Sequence, residues 1–247
     1  MYQKIAVREI QLDEFWGFVF KKQYNLSEAE AFDETIGDIW TFTAFMPEEK
    51  LILGHFTGKR TKLNALKLVS QVKARSKPIE KSLFITSDGN DDYTDAIAAS
   101  YGRLNAAGEL ELQENLCYAQ VVKKIEKGKC KAVTRKLVFG SNELLQECLS
   151  ESTVSHQINT AYVERSNLAV RQHNHRVERK TQGYSKVCQY LKGHNALSIA
   201  YYNLCLPHSS LLAHQGGKPI PTTPAMAAKI TNHSWTMCEL LSANAFL

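Results

Sequence analysis

Residues Asn159 to Lys186, NTAYVERSNLAVRQHNHRVERKTQGYSK, hold the densest set of chemistry-bearing side chains in the sequence. No proline interrupts them and their one glycine, Gly183, comes near the end, so the pattern predicts a helix from about Thr160 to about Lys180. On that helix Glu164, Asn167, Leu168, Arg171 and His175 would share one stripe. A carboxylate and a guanidinium two turns apart on one face can both address a phosphate group, the carboxylate through a metal ion and the arginine directly. Arg165, Arg176, Arg179 and Lys180 add more positive charge than a simple amphipathic helix needs. On its own, a Glu and an Arg seven apart on a basic helix is most often a solvated face. Two upstream carboxylates change that balance. Asp13 lies within the apolar run IQLDEFWGFVF, where a charge is costly unless paired or bound to a cation. Its neighbour Glu14 is a rival, since adjacent strand residues point to opposite faces. Asp88 follows the apolar SLFIT in Ser87-Asp88-Gly89, at the carboxyl edge of a strand, where open α/β sheets keep their sites. Asp is also favoured there as a turn or cap residue, and Asp91, Asp92 and Asp95 compete with it.

The elements that must position these groups follow from periodicity. Ile10 to Phe20 predicts a strand with apolar side chains on both faces, as in the middle of a sheet. A polar, acidic connection over 21–37 is longer than usual hairpin loops and is expected to carry local structure. Asp38 to Met46 and Leu51 to Phe56 predict two more strands, completing an antiparallel meander. Apolar residues at 63, 66, 69 and 72 predict a helix over 61–74. The strand ending at Asp88 comes next, then a helix over 93–101, a strand over 115–122, a basic segment over 123–136 of unassigned structure, and helices over 142–149 and 187–204. Residues 207–224 read as a loop, and Thr223-Pro224 as an N-cap with proline in the first turn of a short terminal helix. The expected organisation is one domain over 1–206 with a proline-containing appendage over 207–247.

That order of strands and helices matches the ribonuclease H-like fold, an α/β architecture with a mixed sheet: an antiparallel meander, then α/β units, with flanking helices. In that fold carboxylates lie on the first strand, at the end of the fourth, and on a later helix, the places taken here by Asp13, Asp88 and Glu164. Three hard oxygen ligands meeting near one point suit Mg²⁺ or Mn²⁺. Two such ions can serve phosphoryl transfer.

Composition is compatible with this reading. The 247 residues are 44% hydrophobic and 22% charged, ordinary for a folded chain that buries a sizeable core. No run of about 18 apolar residues predicts a membrane span. The six cysteines, at 117, 130, 148, 188, 205 and 238, form no C-x-x-C pair, which argues against a zinc site and for reduced thiols in a cytoplasmic setting. The net charge of +5 is uneven: from Val121 to Lys180 twelve Lys/Arg face six Asp/Glu. A concentrated basic region points to a polyanion, nucleic acid first.

The segments LDEFWGFV, ITSDG and YVERSNLAVRQHNHRVERKTQGYSK resemble the transposases of the insertion-sequence-one family, over most of residues 10 to 190. The long last motif is the specific one. The resemblance implies a DDE transposase that cleaves and rejoins DNA with Mg²⁺ or Mn²⁺, two ions in all. Asp13, Asp88 and Glu164 would be the metal-binding catalytic triad. Arg171 would hold DNA phosphate, with Arg165, Asn167, Arg176, Arg179 and Lys180 facing DNA in support. It also implies element ends and target DNA as partners, and self-association. Family members carry an upstream zinc-binding, helix-turn-helix segment, in some relatives from another reading frame. Met1 lies twelve residues before Asp13, so the expectation is a catalytic half or a remnant lacking that segment. The competing expectations are a ribonuclease H-like nuclease and a catalytically silent DNA-binding protein.

Overall fold

Alternation of apolar residues along Glu9–Val19 makes β1 a strand buried on both faces, and this strand organises the molecule. A computed structural model describes residues 4–215 and 218–243. β1 pairs antiparallel with β2 (Gly37–Met46), which pairs antiparallel with β3 (Leu51–Gly58). The long connection before β2 does carry structure, two 3-10 turns at Gln23–Asn25 and Glu30–Phe32. Helix α1 (Lys62–Arg75) starts at Thr61, whose side chain accepts the Asn64 N–H, and leads to β4 (Leu83–Asp88). Helix α2 (Asp91–Tyr101) is capped by Asn90 and is followed by a small hairpin of β5 (Gly102–Leu104) and β6 (Leu110–Leu112). β7 (Leu116–Glu126) and β8 (Lys129–Phe139) come next.

The main sheet runs β3-β2-β1-β4-β7-β8. β1, β4 and β7 are mutually parallel, and β8 returns antiparallel along β7. The sheet is therefore mixed, with helices on both faces. On one face Ile10, Leu12, Ile85 and Tyr118 pack with α1 and α2 residues such as Leu68, Val72 and Ile97. On the other, α3 (Asn142–Glu151) covers Phe84, Cys117 and Ala119, while α4 (Ala161–Gln172) and α5 (Cys188–Leu204) cover Phe15, Val19 and Ile39. Full burial of Val163 and Val170 of α4 contributes on the order of 2 kcal/mol each.

Beyond α5 lie a short hairpin, β9 (Leu212–Gln215) with β10 (Lys218–Pro221), and helices α6 (Pro224–Ala227) and α7 (Met237–Ser242). The segment expected to be loop thus contains a hairpin. Thr223 accepts the Met226 N–H and proline occupies the first turn of α6, as expected. Ala225, Leu240 and Trp235 pack on Ala200 and Leu204 of α5.

The basic segment over 123–136, which periodicity does not assign, forms the outer halves of β7 and β8. One expectation is corrected here. Helix α4 ends at Gln172 instead of near Lys180. The reason is Asn174, which is fully buried: its Nδ2 donates to Asn195 Oδ1 at 2.7 Å and its Oδ1 accepts the Arg176 N–H. Asn195 in turn donates to Thr41 and Thr57 on β2 and β3. This buried polar chain holds the residues after Gln172 in turns, and it outweighs helix propensity. Among the described residues no helix is long and apolar enough to cross a membrane.

Candidate metal centre and its surroundings

Leu12 of β1 pairs with Ser87 of β4, so the next residue on each strand, Asp13 and Asp88, stands side by side at the end of the parallel pair. Residues paired across parallel strands share a face, and here it is the face covered by α4. Glu14 lies on the opposite face, where it accepts hydrogen bonds from Tyr93 Oη at 2.7 Å and Arg60 Nε at 2.8 Å. Even so, one carboxylate oxygen from each of Asp13, Glu14 and Asp88 lies within 4.8 Å of the other two. The rival pair Asp13 and Glu14 thus both join the cluster, from two faces of one strand.

Helix α4 is fixed to β1 at two points. Gln11, fully buried, accepts the Tyr162 and Val163 N–H groups at 3.1 Å each, satisfying the first turn of a helix whose N-cap Thr160 makes no side-chain cap. One turn and a half later, Asn167 Nδ2 donates to Asp13 Oδ2 at 2.9 Å, while its Oδ1 accepts from Thr43 Oγ1 at 2.8 Å. Asn167 is therefore buried against the carboxylate cluster, not turned toward DNA as the sequence suggested. Its role is to hold Asp13.

The charges in this cluster are incompletely matched. Burial pushes the Asp13 carboxyl up to about 7, with the Glu14 and Asp88 charges adding to it. Burial and the Glu14 charge push Asp88 up to about 6, against the opposing pull of Arg60 and Lys123. Glu14 has its own cation in Arg60, whose Nη2 lies 2.6 Å away. What remains is an all-oxygen donor set that favours a proton or a cation at Asp13 and Asp88. Hard divalent ions such as Mg²⁺ or Mn²⁺ fit such donors; soft ions do not.

Glu164 sits on the rim. Its side chain is 43% exposed and its Oε1 takes the Lys123 ammonium at 2.5 Å and the Thr160 hydroxyl at 2.7 Å. It is not within the 4.8 Å group formed by the other three acids. Lys123 lies two residues beyond Val121, the β7 partner of Asp88, so it projects on the Asp88 face, and its charge bears on both carboxylates.

The cations expected to face DNA divide in two. Arg171 is partly withdrawn: its Nε donates to the Val177 carbonyl at 3.1 Å, pinning the turn after α4. Arg176 donates to Ser185 Oγ at 3.2 Å and also braces that turn. Arg165, Arg179 and Lys180 are exposed. His175, expected on the helical stripe, lies beyond the helix and pairs with Glu178 at 2.9 Å.

The sequence reading missed where the positive charge is concentrated. Residues 121–136 hold seven Lys/Arg against Glu126 alone, a net of +6, whereas 137–180 hold five of each sign. The excess belongs to the β7–β8 ribbon and not to α4. Gly128, a turn residue at the centre of the run, was the available signal.

No protein-family model matches this chain, and no curated protein matches it.

Proposed function

We propose that this chain is a metal-dependent polynucleotidyl transferase of the DDE type, built on a ribonuclease H-like sheet, that cleaves DNA and joins it to a target. The observation that carries the proposal is the pair Asp13 and Asp88, adjacent across parallel strands, buried, and short of positive charge. The sheet order supports it: an antiparallel meander followed by parallel β4 and β7 is the arrangement expected of that fold.

Asp13 and Asp88 would hold divalent ions, with Glu164 reaching in from α4 once released from Lys123. Such ions, when bound, supply an acidified water and stabilise a leaving oxygen. Asn167 keeps the Asp13 carboxylate oriented, and the Gln11 clasp sets the height of α4 over the strand. Arg60 pairs with Glu14 from behind and Tyr93 donates to it, which limits how far the Glu14 charge drives Asp13 and Asp88 toward protonation. Exposed Arg165, Arg179 and Lys180 would meet phosphates outside the centre.

Incubating supercoiled plasmid, and duplexes bearing the sequences that flank its gene, with Mg²⁺ or Mn²⁺ tests this. Nicked and joined products should form with the native chain and vanish with Asp13→Ala, Asp88→Ala and Glu164→Ala. Activity retained in the Asp88→Ala variant would refute the assignment. Hydrolysis with no joined product would reduce the reading to a nuclease.

The Lys123–Glu164 pair favours one second reading, a DNA-binding protein in which the lysine has taken over the cation's place for good. Titration calorimetry that detects no Mn²⁺ binding at neutral pH would establish it.

A further inference from the structure

From Val122 to Lys136 every residue is exposed, yet the segment is regular β structure. β4 pairs with β7 only as far as Asp88 with Val121. Beyond that row β7 has β8 as its only strand partner among the described residues, so the two form a free-standing ribbon. Five residues of β7, Val122 to Glu126, lie past the sheet edge, a projection of about 17 Å at roughly 3.3 Å per residue. The ribbon closes through Lys127 and Gly128, with φ of 49° and 73°, the two positive values that a tight type I′ turn demands. A lysine in that left-handed position is uncommon. A two-stranded ribbon whose residues are all exposed is marginal in water, and its open faces are free to take a partner.

We infer that this ribbon is a docking arm for duplex DNA, entering the major groove beside the carboxylate cluster. Charge complementarity carries the choice of partner. The net +6 of residues 121–136 exceeds the +5 of the whole chain, so the remainder sums to −1. Glu126, the single acid, is paired with Lys124 at 3.0 Å. Among the described residues no carboxylate lies within ion-pair distance of Lys127, Lys129, Lys131 or Lys136. On one face Lys123 and Arg135 tie the root of the arm to Glu164 and to the Ile158 carbonyl, while Lys124, Lys129 and Lys136 stand exposed on the other, with Lys127 at the tip. A projecting arm with exposed lysines along one face and at its tip suits a groove walled by phosphates rather than a flat surface. The major groove of B-form DNA, about 12 Å wide and 8.5 Å deep, admits a two-stranded ribbon, and that of A-form RNA does not. The arm is rooted at the site: Val122 packs over Gly89, where an added Cβ would come within 3.2 Å of it, and Lys123 reaches Glu164. DNA seated on the arm therefore lies next to Asp88.

This inference adds the mode of DNA engagement to the proposed function, but binding can be measured without catalysis. Fluorescence anisotropy in EDTA with a labelled 30-base-pair duplex, a single strand and a double-stranded RNA of equal length is the experiment. The arm variant Lys124→Glu/Lys127→Glu/Lys129→Glu/Lys131→Glu is compared with a charge-matched control at the opposite sheet edge, Lys62→Glu/Lys67→Glu/Lys73→Glu/Lys77→Glu. The native chain and the control should bind duplex DNA in preference to the other two. The arm variant should lose about 20-fold or more at 0.1 M salt, and its salt slope should flatten by about 3. Lysine acetylation of the native chain with and without duplex gives a readout free of substitutions, with Lys127 and Lys129 protected by DNA. Equal binding by the arm variant, equal losses in arm and control, tighter binding to the RNA, or no protection would each overturn the arm. If the native chain and the control bind duplex through the arm in EDTA, while the native chain with Mg²⁺ or Mn²⁺ neither cleaves nor joins DNA, the catalytic proposal fails and the arm stands.

Discussion

The Lys123 ammonium lies 2.5 Å from Glu164 Oε1 and also pulls on the Asp88 charge, so a single lysine acts on two carboxylates. If divalent ions bind these carboxylates, Lys123 competes with them. Lys123→Met should therefore raise Mn²⁺ affinity, by about 5-fold or about 1 kcal/mol. Thermal stability without metal should change little, because exposed ion pairs contribute about 0–1 kcal/mol. Calorimetry checks this, and an unchanged or weakened affinity would remove Lys123 from the role of competitor.

The pH dependence follows from Asp13 and Asp88. Both carboxyls titrate higher in the folded chain, near 7 and near 6, than the ordinary 3.8. Their contribution to stability is thus fully present below about pH 4 and is lost as pH rises through 6 and 7. Asp13→Asn removes one of these charges. In EDTA it should match the native chain near pH 4 and exceed it at pH 8 by up to about 4 kcal/mol, since the rise from 3.8 to about 7 is roughly three pKa units of about 1.4 kcal/mol each. Adding Mn²⁺ at pH 8 should stabilise the native chain and not the variant. Urea unfolding across that range measures both effects, and parallel profiles for the two proteins would contradict them.

Asn167→Leu deprives the Asp13 carboxylate of its amide donor and Thr43 of the nearer of its two acceptors in a buried setting. A loss of about 1–3 kcal/mol is expected. Weaker Mn²⁺ binding should accompany it, because Asp13 is then harder to ionise. A stability loss with metal affinity intact would make Asn167 purely structural.

Gln11→Leu keeps the side-chain volume but leaves the Tyr162 and Val163 amides without their acceptor. Stability should fall by about 1–2 kcal/mol, the range for losing a helix cap. Hydrogen exchange should show those two amides opening faster, with the amides of α1 unaffected.

How much of this could be read before folding was known differs from residue to residue. Asp13 was legible because it breaks an apolar strand pattern, a cost that needs a reason, and Asp88 because it ends an apolar strand at the carboxyl edge of a sheet. The meander, α1 and the Thr223-Pro224 cap were legible from local rules of period and capping. The end of α4 was not, because Asn174 acts through Asn195 and two threonines far away in sequence. Nor was the inward turn of Asn167, since a helical stripe does not say which part of it meets the sheet. The basic hairpin was hidden in a different way. Its lysines occupy both faces, so no two-residue alternation marks it as a strand pair, and its charge was averaged into that of the helix that follows.

The clasp of Gln11 and Asn167 on β1 restricts how the centre can rearrange. Sliding α4 along the strand by a single residue rise, about 1.5 Å, would break both attachments together. Any approach of Glu164 to Asp88 is then left to rotation about that glutamate's own side-chain bonds. Such rotations at an exposed position take picoseconds to nanoseconds, whereas a register shift of a helix takes microseconds or longer. The fold thus places the slow degree of freedom under lock and leaves the carboxylate a fast one.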